Sequence, residues 1–143
     1  MNAVPVTILL IEDDPGHARL IEKNVRRAGV SNEIHHVADG TTALQHLFER
    51  GEKVKSDPIL VLLDLNLPDM SGIEILQRIK ADPLMKRTPV IVLTTTDDKL
   101  EIQRCYDLGC NVYITKPVEY EGFTAAIRQL GLFLTVMQVP EPT

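Results

Sequence analysis

The sequence predicts an α/β domain of the doubly wound type, five βα units around one parallel five-stranded sheet. Three observations predict it. Five short runs rich in Ile, Val and Leu recur along the chain: Thr7 to Ile11, Ile34 to Val37, Ile59 to Leu63, Val90 to Leu93 and Val112 to Ile114. Their length and continuous apolar character suit strands buried on both faces. Amphipathic stretches with helical spacing separate them, and strict alternation of strand and helix requires parallel strands joined by crossovers.

The elements follow in order. After the first run, Asp14-Pro15 places an N-cap residue before a proline suited to the first helical position. Leu20, Val25 and Ala28 mark the apolar stripe of that helix, and Gly29 closes it. The second run ends in Ala38-Asp39-Gly40, a turn and helix cap ahead of Ala43, Leu44 and Leu47. Ser71 with Glu74 has capping-box spacing and opens the helix carried by Ile73, Leu76 and Ile79. Asp98 with Glu101 repeats that spacing, and Gly109 closes the helix before the fifth strand. No linker, repeat or low-complexity tract divides the chain, so residues 1–143 are expected to form a single domain.

Composition narrows the classes of function. The chain has 143 residues, 44% hydrophobic and 24% charged, enough for one domain with a real core. The formal net charge of −5 argues against nucleic-acid binding, which usually needs a basic face. No apolar run approaches the length that spans a bilayer. The first residues carry no basic segment followed by an apolar one, so no secretory signal is expected and the location expected is cytoplasmic. Cys105 and Cys110 match neither a redox pair nor a zinc pair and are expected as reduced thiols. His35 and His36, adjacent in a strand, point to opposite faces and are expected to be structural.

In an open parallel sheet, ligands bind beyond the carboxyl ends of the strands, where strand order reverses. The first run ends in Glu12-Asp13-Asp14, the third in Asp64, the fourth in Thr94-Thr95-Thr96 and the fifth in Thr115-Lys116-Pro117. One sheet edge thus collects acids, an acid, a hydroxyl and a lysine. Alone, Asp64 would read as a cap or a solvated loop residue, and Asp14 does read as a cap. Gathering Glu12, Asp13 and Asp64 costs energy, since two like charges ~4 Å apart repel by roughly 4 kcal/mol at an effective dielectric of ~20. Lys116 offsets part of that. A hard divalent cation offsets the rest, and Mg²⁺ suits a shallow site with few carboxylates and several waters.

The segments ILLIEDDP, LVLLDLNLPDMSG, VIVLTTTDD and VYITKP, in this order and spacing, resemble the response-regulator receiver domain of two-component signalling. The resemblance covers about residues 6 to 130. It implies the flavodoxin-like strand order 2-1-3-4-5. It also implies that Asp64 is the phosphoacceptor, taking a phosphoryl group from a phosphohistidine on a sensor histidine kinase. Asp13 is then a direct metal ligand, Glu12 acts through water, and the backbone carbonyl of Asn66 completes the protein's share of the metal shell. Thr94 is the hydroxyl that turns toward the phosphoryl group, Lys116 pairs with its oxygens, and Tyr113 stands at the aromatic switch position. The Lys116–Pro117 bond is expected to be cis, a state that proline makes accessible.

Two rivals fit less well. A phosphatase of the haloacid-dehalogenase type needs a second Asp two positions after the first, and that position is Asn66. A flavin carrier needs a small polar cradle after the first strand, whereas Glu12-Asp13-Asp14 would repel a phosphate. A third possibility, a receiver-like scaffold that takes no phosphate, has nothing in its favour here because every required residue is present.

Beyond about residue 130 the sequence leaves no room for a DNA-binding or enzymatic output domain, so output is expected through protein contact, onward phosphotransfer or sequestration of phosphoryl groups. Phe123, Ile127, Leu130 and Leu134 make a helical stripe, and Leu132, Phe133, Val136 and Met137 add apolar surface. Residues 131–143 either lengthen the last helix or, with Gly131 as its cap, extend over the domain. Both readings leave apolar surface free for a homodimer through the last helix and tail. The ending, with Pro140 and Pro142, resembles stand-alone receivers paired with phytochrome-type or other sensor kinases.

Overall fold

The apolar runs become strands, three with the expected bounds and the last two each running one residue further, to Thr94 and Thr115. The computed structural model describes residues 6–49 and 58–116, together with 121, 122 and 125. Its strands are β1 (Thr7–Ile11), β2 (Ile34–Val37), β3 (Ile59–Leu63), β4 (Val90–Thr94) and β5 (Val112–Thr115). Helices α1 (Pro15–Arg27), α2 (Gly40–Phe48), α3 (Gly72–Ala81) and α4 (Lys99–Leu108) alternate with them. Of the expected helix after β5, residues 121, 122 and 125 are described and are helical; its remaining residues, the Lys116–Pro117 bond and the tail lie outside the described residues.

The sheet is parallel throughout, in the order β2-β1-β3-β4-β5. Every residue of β3 and β4 is buried, as interior strands of a covered sheet require, whereas the edge strands β2 and β5 are only partly so. Alternate residues feed two cores. Leu9, Ile11, Val61, Leu63, Val90 and Val92 face Leu47 of α2, Leu76 and Ile79 of α3 and Cys105 of α4. Ile8, Leu10, Leu60, Leu62, Ile91 and Leu93 face Ala18, Ile21 and Val25 of α1. Truncating one of these leucines to Ala would cost about 2–5 kcal/mol.

Local chemistry sets the helix ends. The Asp14 carboxylate accepts from Gly16 N at 2.8 Å and His17 N at 3.0 Å, with Pro15 in the first turn. Asp39 caps α2 through Thr42 N at 2.7 Å. Ser71 and Asp98 cap through the second helical amides, Ile73 N and Leu100 N, where capping-box spacing predicts the third. In α3 the Glu74 amide instead reaches the Ser71 carbonyl at 3.0 Å. At the other ends, Gly29 and Gly109 take φ of 89° and 109°, the left-handed region that only glycine occupies without strain.

The strand order reverses between β1 and β3. Ile11 lies in register with Leu63, so the residues after those two positions are brought side by side by the backbone alone. Thr94 pairs with Thr115 on the neighbouring strand β5, and Lys116 N donates to the Thr94 carbonyl at 2.8 Å.

Candidate functional site

Glu12 and Asp64 leave β1 and β3 as neighbours because Asp64 N continues the ladder, donating to the Ile11 carbonyl at 3.0 Å. Both side chains are buried, with 1% and 5% of their surface exposed, and Asp13 beside them faces solvent. Glu12, Asp13 and Asp64 each offer a carboxylate oxygen, all within 4.8 Å of one another. Such a cluster persists only if positive charge or hydrogen bonds compensate it.

Lys116 supplies the charge. Its side chain is 6% exposed, and the ammonium donates to Glu12 Oε1 at close range and to Asp64 Oδ2 at 3.1 Å. Backbone amides hold the remaining carboxylate oxygens: Asp14 N donates to Glu12 Oε2 at 3.1 Å, and Asn66 N to Asp64 Oδ1 at 3.1 Å. Burial pushes the Glu12 carboxyl above its usual value, and the negative charge of Asp64 adds to that. The Lys116 and Asp14 hydrogen bonds oppose both. Three hard oxygen donors, one of them open to water, fit a divalent cation of the Mg²⁺ or Mn²⁺ kind.

The hydroxyl and aromatic residues flank this cluster. Thr94 is fully buried at the end of β4, and its Oγ1 accepts from Asn66 Nδ2 at 3.3 Å. Tyr113, half-buried on β5, donates its hydroxyl to the Thr96 carbonyl at 2.7 Å. Its own amide donates to the Tyr106 hydroxyl on α4 at 3.0 Å. Burial raises the Tyr113 phenol well above its ordinary value, so it stays a hydrogen-bond donor. The seven residues singled out from the sequence thus fall along one sheet edge. Lys116 touches the acids, Asn66 joins Asp64 to Thr94, and Tyr113 is tied to the segment after Thr94.

Four supporting residues escape a reading of short-range pattern. His36, assigned a structural role, donates through Nε2 to the Glu12 carbonyl at 2.7 Å, while His35 stacks on His46. A Cβ on Gly72 would come within 2.4 Å of the Asp64 carbonyl oxygen, so only glycine lets α3 pack against the acid's backbone. Asp69, in the loop after Asp64, accepts from Gly40 N, Thr41 N and Thr41 Oγ1 at 2.6–2.8 Å and thereby ties that loop to α2. His17, on the first turn of α1, brings Nδ1 to 3.1 Å from the Lys116 ammonium.

A family model described as the response regulator receiver domain matches residues 8–128. A solved receiver domain of a response regulator from Rhodospirillum rubrum is 66% identical with a TM-score of 0.78, covering 95% of this chain and 98% of that one. Response regulator Rcp1 of Synechocystis sp. is 40% identical over 113 residues, 78% of this chain and 77% of its own length. A structure of the Mn²⁺-bound form of Rcp1 superposes with a TM-score of 0.73, at 33% identity over 97% of this chain and 100% of that one. The phosphorylated cyanobacterial phytochrome response regulator RcpA is 37% identical with a TM-score of 0.75, over 96% of this chain and 99% of that one.

Proposed function

Since the chain belongs to the response regulator receiver family, we propose that it is a single-domain phosphorylation switch in which Asp64 accepts a phosphoryl group from a histidine kinase. The observation that carries this reading is the Lys116 ammonium set between Glu12 and Asp64 at the switch point of the sheet. That arrangement presents a carboxylate nucleophile beside a fixed positive charge, and transfer of a phosphoryl group asks for little more than positioning and charge neutralisation.

An Asp64 carboxylate oxygen attacks phosphorus as the P–N bond to the kinase histidine breaks, and the imidazole leaves with the bonding pair. The product is an acyl phosphate on Asp64. Lys116 follows the negative charge onto the phosphoryl oxygens. Asp13, Asp64 and the Asn66 carbonyl would hold Mg²⁺ directly and Glu12 through water. The bound ion would neutralise phosphoryl charge that Lys116 alone cannot. The Mn²⁺-bound form of Rcp1 supports that assignment of metal class. Hydrolysis of the acyl phosphate is slow and tuned by the side chains of Asn66 and Thr96. The protein therefore performs its own phosphorylation and dephosphorylation without turning over an external substrate.

The new charge recruits Thr94, and Tyr113 moves into the space its hydroxyl leaves, so that the surface of α4, β5 and the following helix changes. The Asn66–Thr94 contact and the Tyr113–Thr96 bond support this route from acid to surface. The kinase we propose is of the phytochrome type, on the strength of relatives that carry that description. We also propose a cytoplasmic protein, with residues 131–143 and the last helix forming a homodimer contact and no nucleic-acid partner. The test of the central reading is Mg²⁺-dependent labelling of the full chain from a small phosphodonor. Asp64→Asn must abolish the label, and a variant that still labels places the acceptor elsewhere.

A further inference from the structure

An ammonium group has three hydrogens to donate and no lone pair to accept with. Two of those of Lys116 are committed to Glu12 Oε1 and Asp64 Oδ2. The third faces His17, whose Nδ1 is 3.1 Å away. Because Lys116 can only donate, His17 Nδ1 is the acceptor and the ring proton sits on Nε2. The histidine is therefore a neutral third partner of the lysine on its solvent side.

Its placement is built. Pro15 and the Asp14 cap set the start of α1, and Asp14 Oδ1 accepts from the His17 amide itself at 3.0 Å. The ring lies 45% exposed at the mouth of the acidic cluster, with Nδ1 3.9 Å from Glu12 Oε2.

Resting on the phosphoacceptor reading above, we propose that His17 is a positioning residue for Lys116 in phosphoryl transfer. Glu12 and Asp64 both draw the ammonium inward, away from where an incoming phosphoryl group arrives. His17 draws it outward with a neutral acceptor, which orients the ammonium without competing for its charge as a third carboxylate would. The lysine is thus held between its two resting partners and the position it must reach. Loss of the imidazole acceptor lets the ammonium collapse onto Glu12 and slows capture of the phosphoryl group.

The experiment measures the rate of Asp64 labelling by radiolabelled acetyl phosphate at saturating Mg²⁺, using the full chain and its His17→Ala, His17→Asn and His17→Gln variants. The half-saturating Mg²⁺ concentration and thermal midpoint are measured alongside. His17→Ala is expected to label about fivefold more slowly, the effect of one net hydrogen bond, with Mg²⁺ affinity unchanged. Asn carries an acceptor at the Nδ1 position and restores the rate to within about twofold; Gln carries it one bond too far and does not. Parental rates in His17→Ala, equal loss in Ala and Asn, or a matching loss of Mg²⁺ affinity would each overturn the proposal. Failure of the parent chain to label, or labelling of Asp64→Asn, instead overturns the phosphoacceptor reading and this inference with it.

Discussion

Lys116 is the residue on which the electrostatics of the site turn, because it is the one cation touching both Glu12 and Asp64 among the described residues. Removing it leaves two buried carboxylates without their charge partner, a loss that typically costs about 3–5 kcal/mol. Lys116→Ala is therefore expected to be less stable in urea when divalent cations are chelated. Added Mg²⁺ should stabilise that variant more than it stabilises the parent; an equal gain in both would show that lysine and cation do not share the task. Gly72 acts on the same acid from behind. An alanine there would sit 2.4 Å from the Asp64 carbonyl oxygen and 2.7 Å from Leu65 Cα, both backbone atoms that cannot swing aside. Gly72→Ala is expected to destabilise the fold by about 1–3 kcal/mol and to slow labelling, because the backbone under Asp64 must move. A variant with parental stability and labelling would mean that α3 shifts freely.

At the scale of elements, the N-terminus of α2 is held by two aspartates from different parts of the chain, Asp39 next to it and Asp69 from the loop after β3. The hydroxyl of Thr41, then the amides of Gly40 and Thr41, hold the Asp69 carboxyl down at about 2. The folded value lies below the ordinary one, so its contribution is present above pH ~4 and is lost as pH falls toward about 2. Amide exchange at Gly40 and Thr41, corrected for intrinsic rates, should rise over that range in the parent, and Asp69→Ala should show the raised level already at neutral pH. Exchange insensitive to Asp69 would remove the coupling of loop and helix.

The same elements show what a sequence discloses. The strands were legible because a doubly covered strand must be apolar at every position, and caps were legible because they lie within three residues of what they cap. Glu12, Asp64 and Lys116 could be placed together because parallel topology sends all strand ends to one edge. Asp69 on α2, Gly72 under Asp64 and His36 on the Glu12 carbonyl were not legible as contacts. Each joins segments distant in sequence through a geometry that exists only after packing, and no local periodicity encodes it. The caps at Ser71 and Asp98 differ from expectation for a related reason: a one-residue choice of amide depends on the incoming loop.

For the whole molecule, the switch proposed above would run through the contacts that flank the sheet. Strands β3 and β4 are fully buried, whereas Leu100 and Tyr106 of α4 are exposed at 82% and 44%, and Tyr106 stands against Tyr113. Tyr106 accepts from the Tyr113 amide, so a movement of Tyr113 reaches an exposed face within one contact. The proposed dimer contact lies beyond this region, in residues outside the description of the fold. Light scattering on a chain truncated after Leu130 is expected to report a monomer where the full chain reports a dimer. An unchanged dimer would move the contact to another surface.

The most direct test remains the acid itself. The full chain, incubated with Mg²⁺ and a radiolabelled small phosphodonor, should take up one phosphoryl group per chain in a form labile to hydroxylamine. Asp64→Asn should take up none, and chelation of Mg²⁺ should abolish uptake by the parent. Hydroxylamine-labile labelling of Asp64→Asn at the parental level would contradict the account.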